Sequence, residues 1–449
     1  MSVLTGQKTT RSLAGILSIA LWVGSSTALG SIATTEYSYD ISAGTVTRTE
    51  PTGNRIKTHY DAINRLSKIE LLDSTNIPTY NFYYDLTSQL ERITSPEGET
   101  IFGYDTFDRL QSITDFGEAA PILRFSYDHK DRLTWIVYPG NGRVCYQYDA
   151  DGRLTRTGRL YENNAGTVCG AADEITDYGY DARGRQSGIS YPNGISRSIA
   201  FSSLTGQIEE VSYKNANGGL LFSDRYEYVP ASRLYKSITH TTAVSRGTTY
   251  YEYDTNERVK TVTEANGRHT EYRYDVFGNR VEEKIINTKG NTDVMAGEKS
   301  YGSYTYEYVA NSNRLSRVLY NGTEQESYGY DAAGRITSRA HTIDGTTTYS
   351  YDDRGMLVSL SKPGYVISYT YDALKVRKTK TVNGVTTRYI SAQIFGFPRT
   401  LVEADTSMNI TATYVHGGGQ ILKEEGSTTD RSQDLYYLTD GTWAVCVIR

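Results

Sequence analysis

A phrase of the form Tyr-x-Tyr-Asp-x-x-Gly-Arg-Leu recurs along this 449-residue chain. It reads YQYDADGRL from Tyr146, YGYDARGRQ from Tyr178, YRYDVFGNR from Tyr272, YGYDAAGRI from Tyr328 and YSYDDRGML from Tyr349. A repeat restricts the fold more than composition does, because every copy must form the same unit and pack on its neighbours. The Asp of the phrase falls at Asp40, Asp61, Asp85, Asp105, Asp128, Asp149, Asp181, Asp254, Asp275, Asp331, Asp352 and Asp372. Three degenerate copies fill the gaps: FSSLTGQI from Phe201, YEYVPASRL from Tyr226 and YEYVANSNRL from Tyr306. The total is fifteen units, most of them 20 to 26 residues apart. The longer steps hold polar insertions, ENNAGTVCGAADE and NTKGNTDVMAGEKS, which read as surface loops.

Each phrase has a local physical meaning. Two tyrosines spaced by one residue share a face of a strand. The residue between them is mostly polar or small, as at Ser38, Gly103, Gln147, Glu252, Arg273 and Thr370. Asp then opens a turn, where its carboxylate can accept a backbone N–H two residues on. Three residues after Asp the chain needs a left-handed conformation, which glycine adopts without steric cost. The candidate site residues are therefore structural turn residues. They are Asp61, Asp105, Asp128, Asp149 with Gly152, Asp181 with Gly184, Asp275 with Gly278, Asp331 with Gly334, and Asp352 with Gly355. Asn64, Asp108 and Asp131 take the left-handed place in other copies, while Ser88, Glu257 and Lys375 are expected to be strained or looser there.

A second turn signal lies about halfway between phrases, as in EPTGN, SPEGE, YPGNG, YPNGI, EANGR, YNGT, IDGT and KPGY. Such Pro-x-Gly and Asn-Gly stretches connect hairpins. The expected fold is all-β, one antiparallel meander of about fifteen two-stranded units. Thirty strands at ~4.8 Å make a ribbon about 140 Å long, and a twist of ~20° per strand coils it around one sheltered face. The pattern leaves open whether the tyrosine face or its opposite points inward.

The unit resembles the tyrosine-aspartate (YD) repeat of Rhs proteins, also found in wall-associated polymorphic toxins, the C components of insecticidal toxin complexes and teneurins. The resemblance runs from about Glu36 to Asp440. It implies a spiral sheet forming a hollow shell that encloses a C-terminal toxin. Beyond Asp372, RYISAQIFGFPRTLVEA, TYVHGGGQILKEE and DLYYLTD resemble the opening of the Rhs-associated core region. The expected division is a leader at 1–30, the repeat sheet at 31–376 and a truncated core region at 377–449. The family's core ends in a self-cleavage segment with an Asp-Pro step. This sequence contains no Asp-Pro, so the expectation is a shell segment without plug or cargo. Its last residues, GTWAVCVIR, depart from the family's pattern. Shifting the reading frame across Trp443 and Ala444 restores a glycine codon with neighbours compatible with the family's Leu-Gly-Ser-Val-Arg. A frame change near Asp440 is the reading taken, with a naturally divergent terminus as the alternative.

The first thirty residues read as a signal peptide: Lys8 and Arg11, an apolar run from Leu13 to Val23, then small residues with cleavage after Ala28 or Gly30. That run is too short to span a bilayer, and no later stretch is apolar enough. Export to the periplasm, cell surface or medium follows. A net charge of −5 without a basic block argues against nucleic acid as a partner. Of the three cysteines, Cys145 and Cys169 could pair, but two isolated thiols is the favoured reading.

The six histidines are scattered, none at metal-ligand spacing from another. HGGG from His416 resembles the oxyanion loop of some esterases, yet no G-x-S-x-G elbow accompanies it, so it reads as a hairpin bend. GNGRVC is a turn. The recurring aspartates are explained together by turn formation. No catalytic, cofactor or metal residue is assigned. The expected function is a non-catalytic structural shell segment, its partners a toxin cargo or a second chain completing the shell. The alternative is a surface protein that binds carbohydrate through repeat tyrosines.

Overall fold

The computed structural model describes residues 34–74, 78–161, 168–290, 298–417, 420–425, 435–439 and 445–448. The leader, parts of both polar insertions, Gly418 and Gly419 of HGGG, and the Asp440–Ala444 stretch of the frame change lie outside the described residues.

Among the described residues thirty-six strands, from β1 (Glu36–Asp40) to β36 (Val445–Ile448), form one antiparallel sheet. Each strand pairs with the next in sequence, as β1 does with β2 (Thr45–Thr49), and the sheet does not close into a barrel. The fifteen phrases close the odd-numbered strands up to β29 (Tyr365–Tyr371), so the repeats supply thirty strands. Six more follow: β31 (Val385–Ile394), β32 (Phe397–Ala404), β33 (Ile410–Gly417), β34 (Gln420–Glu425), β35 (Leu435–Thr439) and β36.

Every phrase hairpin after the first carries the same irregularity. In β11 (Arg143–Tyr148) and β12 (Leu154–Leu160), Gln147 faces Arg156 but Tyr148 faces Leu154. Thr155 is the extra residue of a bulge, which sharpens the local twist. Some of the halfway turns are tighter. Tyr320 pairs with Thr323 across Asn321 and Gly322, both at positive φ, the signature of a two-residue hairpin turn.

The tyrosine face is the sheltered one. Tyr146, Tyr178 and Tyr226 are buried, and with Ile136, Val144 and Val211 they form a core that includes Ile390, Ile394, Leu401 and Val402 of β31 and β32. The Tyr146 ring meets Phe395 edge-on at 5.4 Å, and the Tyr138 hydroxyl donates to the Tyr414 carbonyl at 2.8 Å. These contacts join residues far apart in sequence, 276 positions in the case of Tyr138 and Tyr414, so the ribbon curls until its end packs against its own inner face. Strands at this overlap are covered on both faces: Tyr389 and Ile390 are both buried, as are Ala412 and Thr413.

One expectation is corrected. Cys145 and Cys169 are not isolated thiols but a disulfide, with Cα atoms 5.6 Å apart. The insertion after β12 is thus more than a surface loop, since Cys169 returns in a short 3-10 turn, Cys169–Ala171, and is buried. Gly158, opposite Cys145 in the ladder, makes room for the bridge: a Cβ there would stand 2.7 Å from the Cys145 sulfur and 3.0 Å from that of Cys169. Closing a loop of this size typically contributes about 3 kcal/mol. Gly158→Val is expected to lower resistance to urea from β11 to β13 (Glu174–Tyr180) by at least as much as Cys169→Ser, read by local hydrogen exchange.

Candidate functional site

The turn is built around the phrase Asp. Asp105 Oδ1 accepts the amides of Phe107 at 2.9 Å and Arg109 at 3.0 Å, while Oδ2 accepts Arg109 Nε at 2.8 Å. Asp61, Asp128, Asp181 and Asp254 repeat the pattern. Asp149 and Asp331 hold Arg153 and Arg335 alike, Asp275 holds Asn279, and Asp352 takes the Met356 amide. Gly152, Gly184, Gly278, Gly334 and Gly355 all stand at positive φ. Ser88, Glu257 and Lys375 occupy the same region at 73°, 60° and 64°, and their turn hydrogen bonds, 3.0 to 3.1 Å, are no looser than those of the glycines. Partial burial pushes the Asp128 carboxyl up. The Arg132 side chain and the amides of Arg132 and Lys130 outweigh that and hold it at about 2.

The arginine does not stop at its own turn. Arg109 Nη1 donates to the Asp128 carbonyl of the next unit at 2.8 Å, and Arg132 Nη1 to that of Asp149 at 3.2 Å. Its guanidinium lies over the second tyrosine of that next unit, 4.4 Å for Arg65 on Tyr84, 5.0 Å for Arg109 on Tyr127 and 4.7 Å for Arg132 on Tyr148. That tyrosine reaches back. Tyr84, Tyr104, Tyr127, Tyr148, Tyr180, Tyr228, Tyr253, Tyr274, Tyr308, Tyr330, Tyr351 and Tyr371 each donate a hydroxyl, at 2.7 to 2.9 Å, to the carbonyl that opens the preceding return strand.

The reason lies in the ladder. Between β10 (Leu133–Val137) and β11, backbone pairing runs only from Val137–Arg143 to Trp135–Cys145. The Leu133 carbonyl lies beyond it, and the Tyr148 hydroxyl supplies the donor that the ladder lacks. Tyr, Arg and Leu of the phrase thus form a clasp between consecutive hairpins.

The same repeats are what other proteins share with this chain. Residues 45–202 match the Teneurin YD-shell family, and residues 253–292 and 330–365 match the RHS Repeat family. The chain is built of Rhs-type YD repeats. It is 31% identical over 190 residues to the tRNA3(Ser)-specific nuclease WapA of Bacillus spizizenii, a match covering 40% of this chain and 7% of the relative. It is 23% identical over 387 residues to the double-stranded DNA deaminase toxin A of Burkholderia cenocepacia, covering 70% and 26%. Among solved structures it resembles TcdB2-TccC3 without its hypervariable C-terminal region, with a TM-score of 0.47, 15% identity, and coverage of 88% of this chain and 22% of that one. The chain thus spans about a quarter or less of the length of each of these relatives.

Within this YD-repeat chain, sequence reasoning missed one turn. Asp405 accepts the amides of Ser407 at 2.8 Å and Asn409 at 2.9 Å, Asn409 Nδ2 reaches Asp405 Oδ2 at 2.8 Å, and Met408 has φ 64°. The signal was present as Asp-x-x-x-Asn, the spacing of Asp275 and Asn279, but no aromatic pair precedes it. Of HGGG, His416 is 1% exposed inside β33 and donates Nε2–H to the Thr400 carbonyl at 2.8 Å. Its Nδ1, like the Tyr146 hydroxyl, has no partner among the described residues. Burial pushes the His416 imidazole down to about 4. Among the described residues no three His, Cys, Asp or Glu side chains are grouped so as to hold a metal ion. What the arrangement does chemically is bind its own backbone.

Two outcomes follow. Tyr148→Phe is expected to weaken protection between β10 and β11 by about 1 kcal/mol in native-state hydrogen exchange, with little change in distant units. His416 is held neutral in the fold, so its contribution to stability is present above the ordinary histidine value of 6.5 and is lost as pH falls toward about 4. The loss amounts to about 3 kcal/mol, and His416→Phe removes it. The carboxylates of Asp61, Asp105, Asp128, Asp149, Asp181, Asp254 and Asp275, held below the usual range, lose theirs only at lower pH, which acid titration of unfolding resolves.

Proposed function

We propose that the chain is a non-catalytic wall segment of an exported toxin-type YD shell, enclosing or presenting a polypeptide cargo. The observation that carries this reading is the inward tyrosine face. In twelve phrases the second tyrosine commits its hydroxyl to a backbone carbonyl, and rings of this face lie against guanidinium groups or in the packed core, which leaves few free for catalysis or recognition. The matched relatives are named as a nuclease and a deaminase toxin, and the shared part is a fraction of each. We assign the wall to residues 31–376, the start of the core region to 377–449, and the export leader to 1–30. No helix among the described residues is long and apolar enough to cross a membrane.

The competing reading, carbohydrate binding through tyrosines, has few exposed rings to draw on, chiefly Tyr37, Tyr39, Tyr83 and Tyr250. A flexible polypeptide fused to the full chain should be cleaved by a broad-specificity protease more slowly than the same polypeptide free, and a glycan array should show no saturable binding. Cleavage at the free rate would overturn enclosure, and saturable sugar binding would favour the adhesin.

A further inference from the structure

At regular turns the residue two places after Asp stands at the tip and faces water, as Ile63, Phe107 and Phe277 do. The last two repeats bury a turn residue instead, the first of them at this very place. Between β27 (Gly345–Tyr351) and β28 (Leu357–Lys362), the arginine has left its usual place four residues after Asp352, now Met356, and sits at the tip as Arg354. It is 7% exposed. In the turn after β29 the second place, Leu374, still faces water, but Ala373, one place after Asp372, is buried.

Both tips rest on the tyrosine face of the earliest repeats. Arg354 lies 4.3 Å over the ring of Tyr80 in β5 (Thr79–Tyr84), while still holding Asp352 at 3.0 Å and the Asp372 carbonyl at 2.7 Å. Asp353 accepts Asn54 Nδ2 at 2.7 Å and the Ser74 hydroxyl. Ala373 joins the cluster of Ile56, Leu71, Tyr80, Phe82 and Ile93. In β30 (Arg377–Val382), Lys378 forms a buried ion pair with Asp115, whose other oxygen accepts the Thr100 hydroxyl at 3.0 Å. These contacts join positions 263 to 299 residues apart.

We propose that these tips form a latch, which holds the last repeats on the first and lets go as one unit while both stretches of sheet keep their ladders. No strand pairing crosses the seam among the described residues, so opening breaks side-chain contacts only. Most of them are polar, and water replaces each at small net cost. Separating Asp115 from Lys378 solvates both, unlike deleting one partner, which strands a buried charge. Beside the seam, the overlap of β31 and β32 with the core is apolar and serves as the hinge. Opening uncovers the tyrosine face, a purpose that rests on the shell reading, though the latch itself does not need it.

The test is thiol accessibility in the full chain, with Cys446→Ser removing the third cysteine. Ala373→Cys should label slowly at the seam. Adding Arg354→Ala should speed labelling about fivefold or more, the factor implied by one lost net interaction, with hydrogen exchange of β5 and β30 unchanged. If Arg354→Ala fails to fold, Asp353→Ala, which removes only the Asn54 and Ser74 bonds, gives the same readout. Unchanged labelling would overturn the latch, as would labelling that accelerates only together with ladder exchange.

Discussion

A backbone ladder that stops short is the constraint on which the rest of this structure depends. Successive hairpins share hydrogen bonds along only part of their length. At the phrase end a carbonyl such as Leu133 O would face its neighbour without a donor, a costly state for a half-buried group. The tyrosine hydroxyl closes that gap, and the arginine covers the ring that carries it. Because the bond runs from one unit's tyrosine to the preceding unit's carbonyl, it ties units in a fixed order. Turn and clasp share their parts, since the arginine that braces Asp105 within one hairpin also reaches Asp128 in the next. Local geometry and neighbour contact are therefore stabilised together, as expected of a quasi-one-dimensional array.

The wall meets itself in two different ways. Where β31 and β32 lie on the inner face, the contact is a hydrophobic core of Ile390, Ile394, Leu401 and Val402 with Ile136, Val144 and Tyr146. Where the last repeats meet the first, it is mostly charged and hydrogen-bonded. Apolar burial has no preferred direction and holds the curl closed. Ion pairs and hydrogen bonds need defined geometry and set the register of that closure. The disulfide lies away from this charged seam, across β11 and the insertion after β12, where it reinforces the wall itself.

What was legible in the sequence was what a single hairpin fixes by itself. Tyrosines two apart gave the strand, Asp and the left-handed residue gave the turn, and the phrase count gave thirty strands. Ser88, Glu257 and Lys375 show that backbone demand overrides residue preference, since they take the same conformation as glycine. Less legible was whatever depends on residues far apart. The Cys145–Cys169 bridge depended on an insertion folding back, which spacing alone does not reveal. The displaced Arg354 was visible as DRGM but had no meaning until Tyr80, far away in sequence, appeared beside it. The turn at Asp405 was hidden because no aromatic pair precedes its acid.

The docked tip of Arg354 also makes the closure a counting device. One repeat is two strands, about 10 Å along the ribbon. Removing or inserting a whole repeat anywhere between Tyr80 and Arg354 would leave every hairpin and every clasp content, yet would carry the guanidinium a full hairpin past its aromatic seat. A tandem array tolerates such edits readily, but a wound one with a fixed meeting point does not. The circumference of this wall is in effect written into the position of a single arginine.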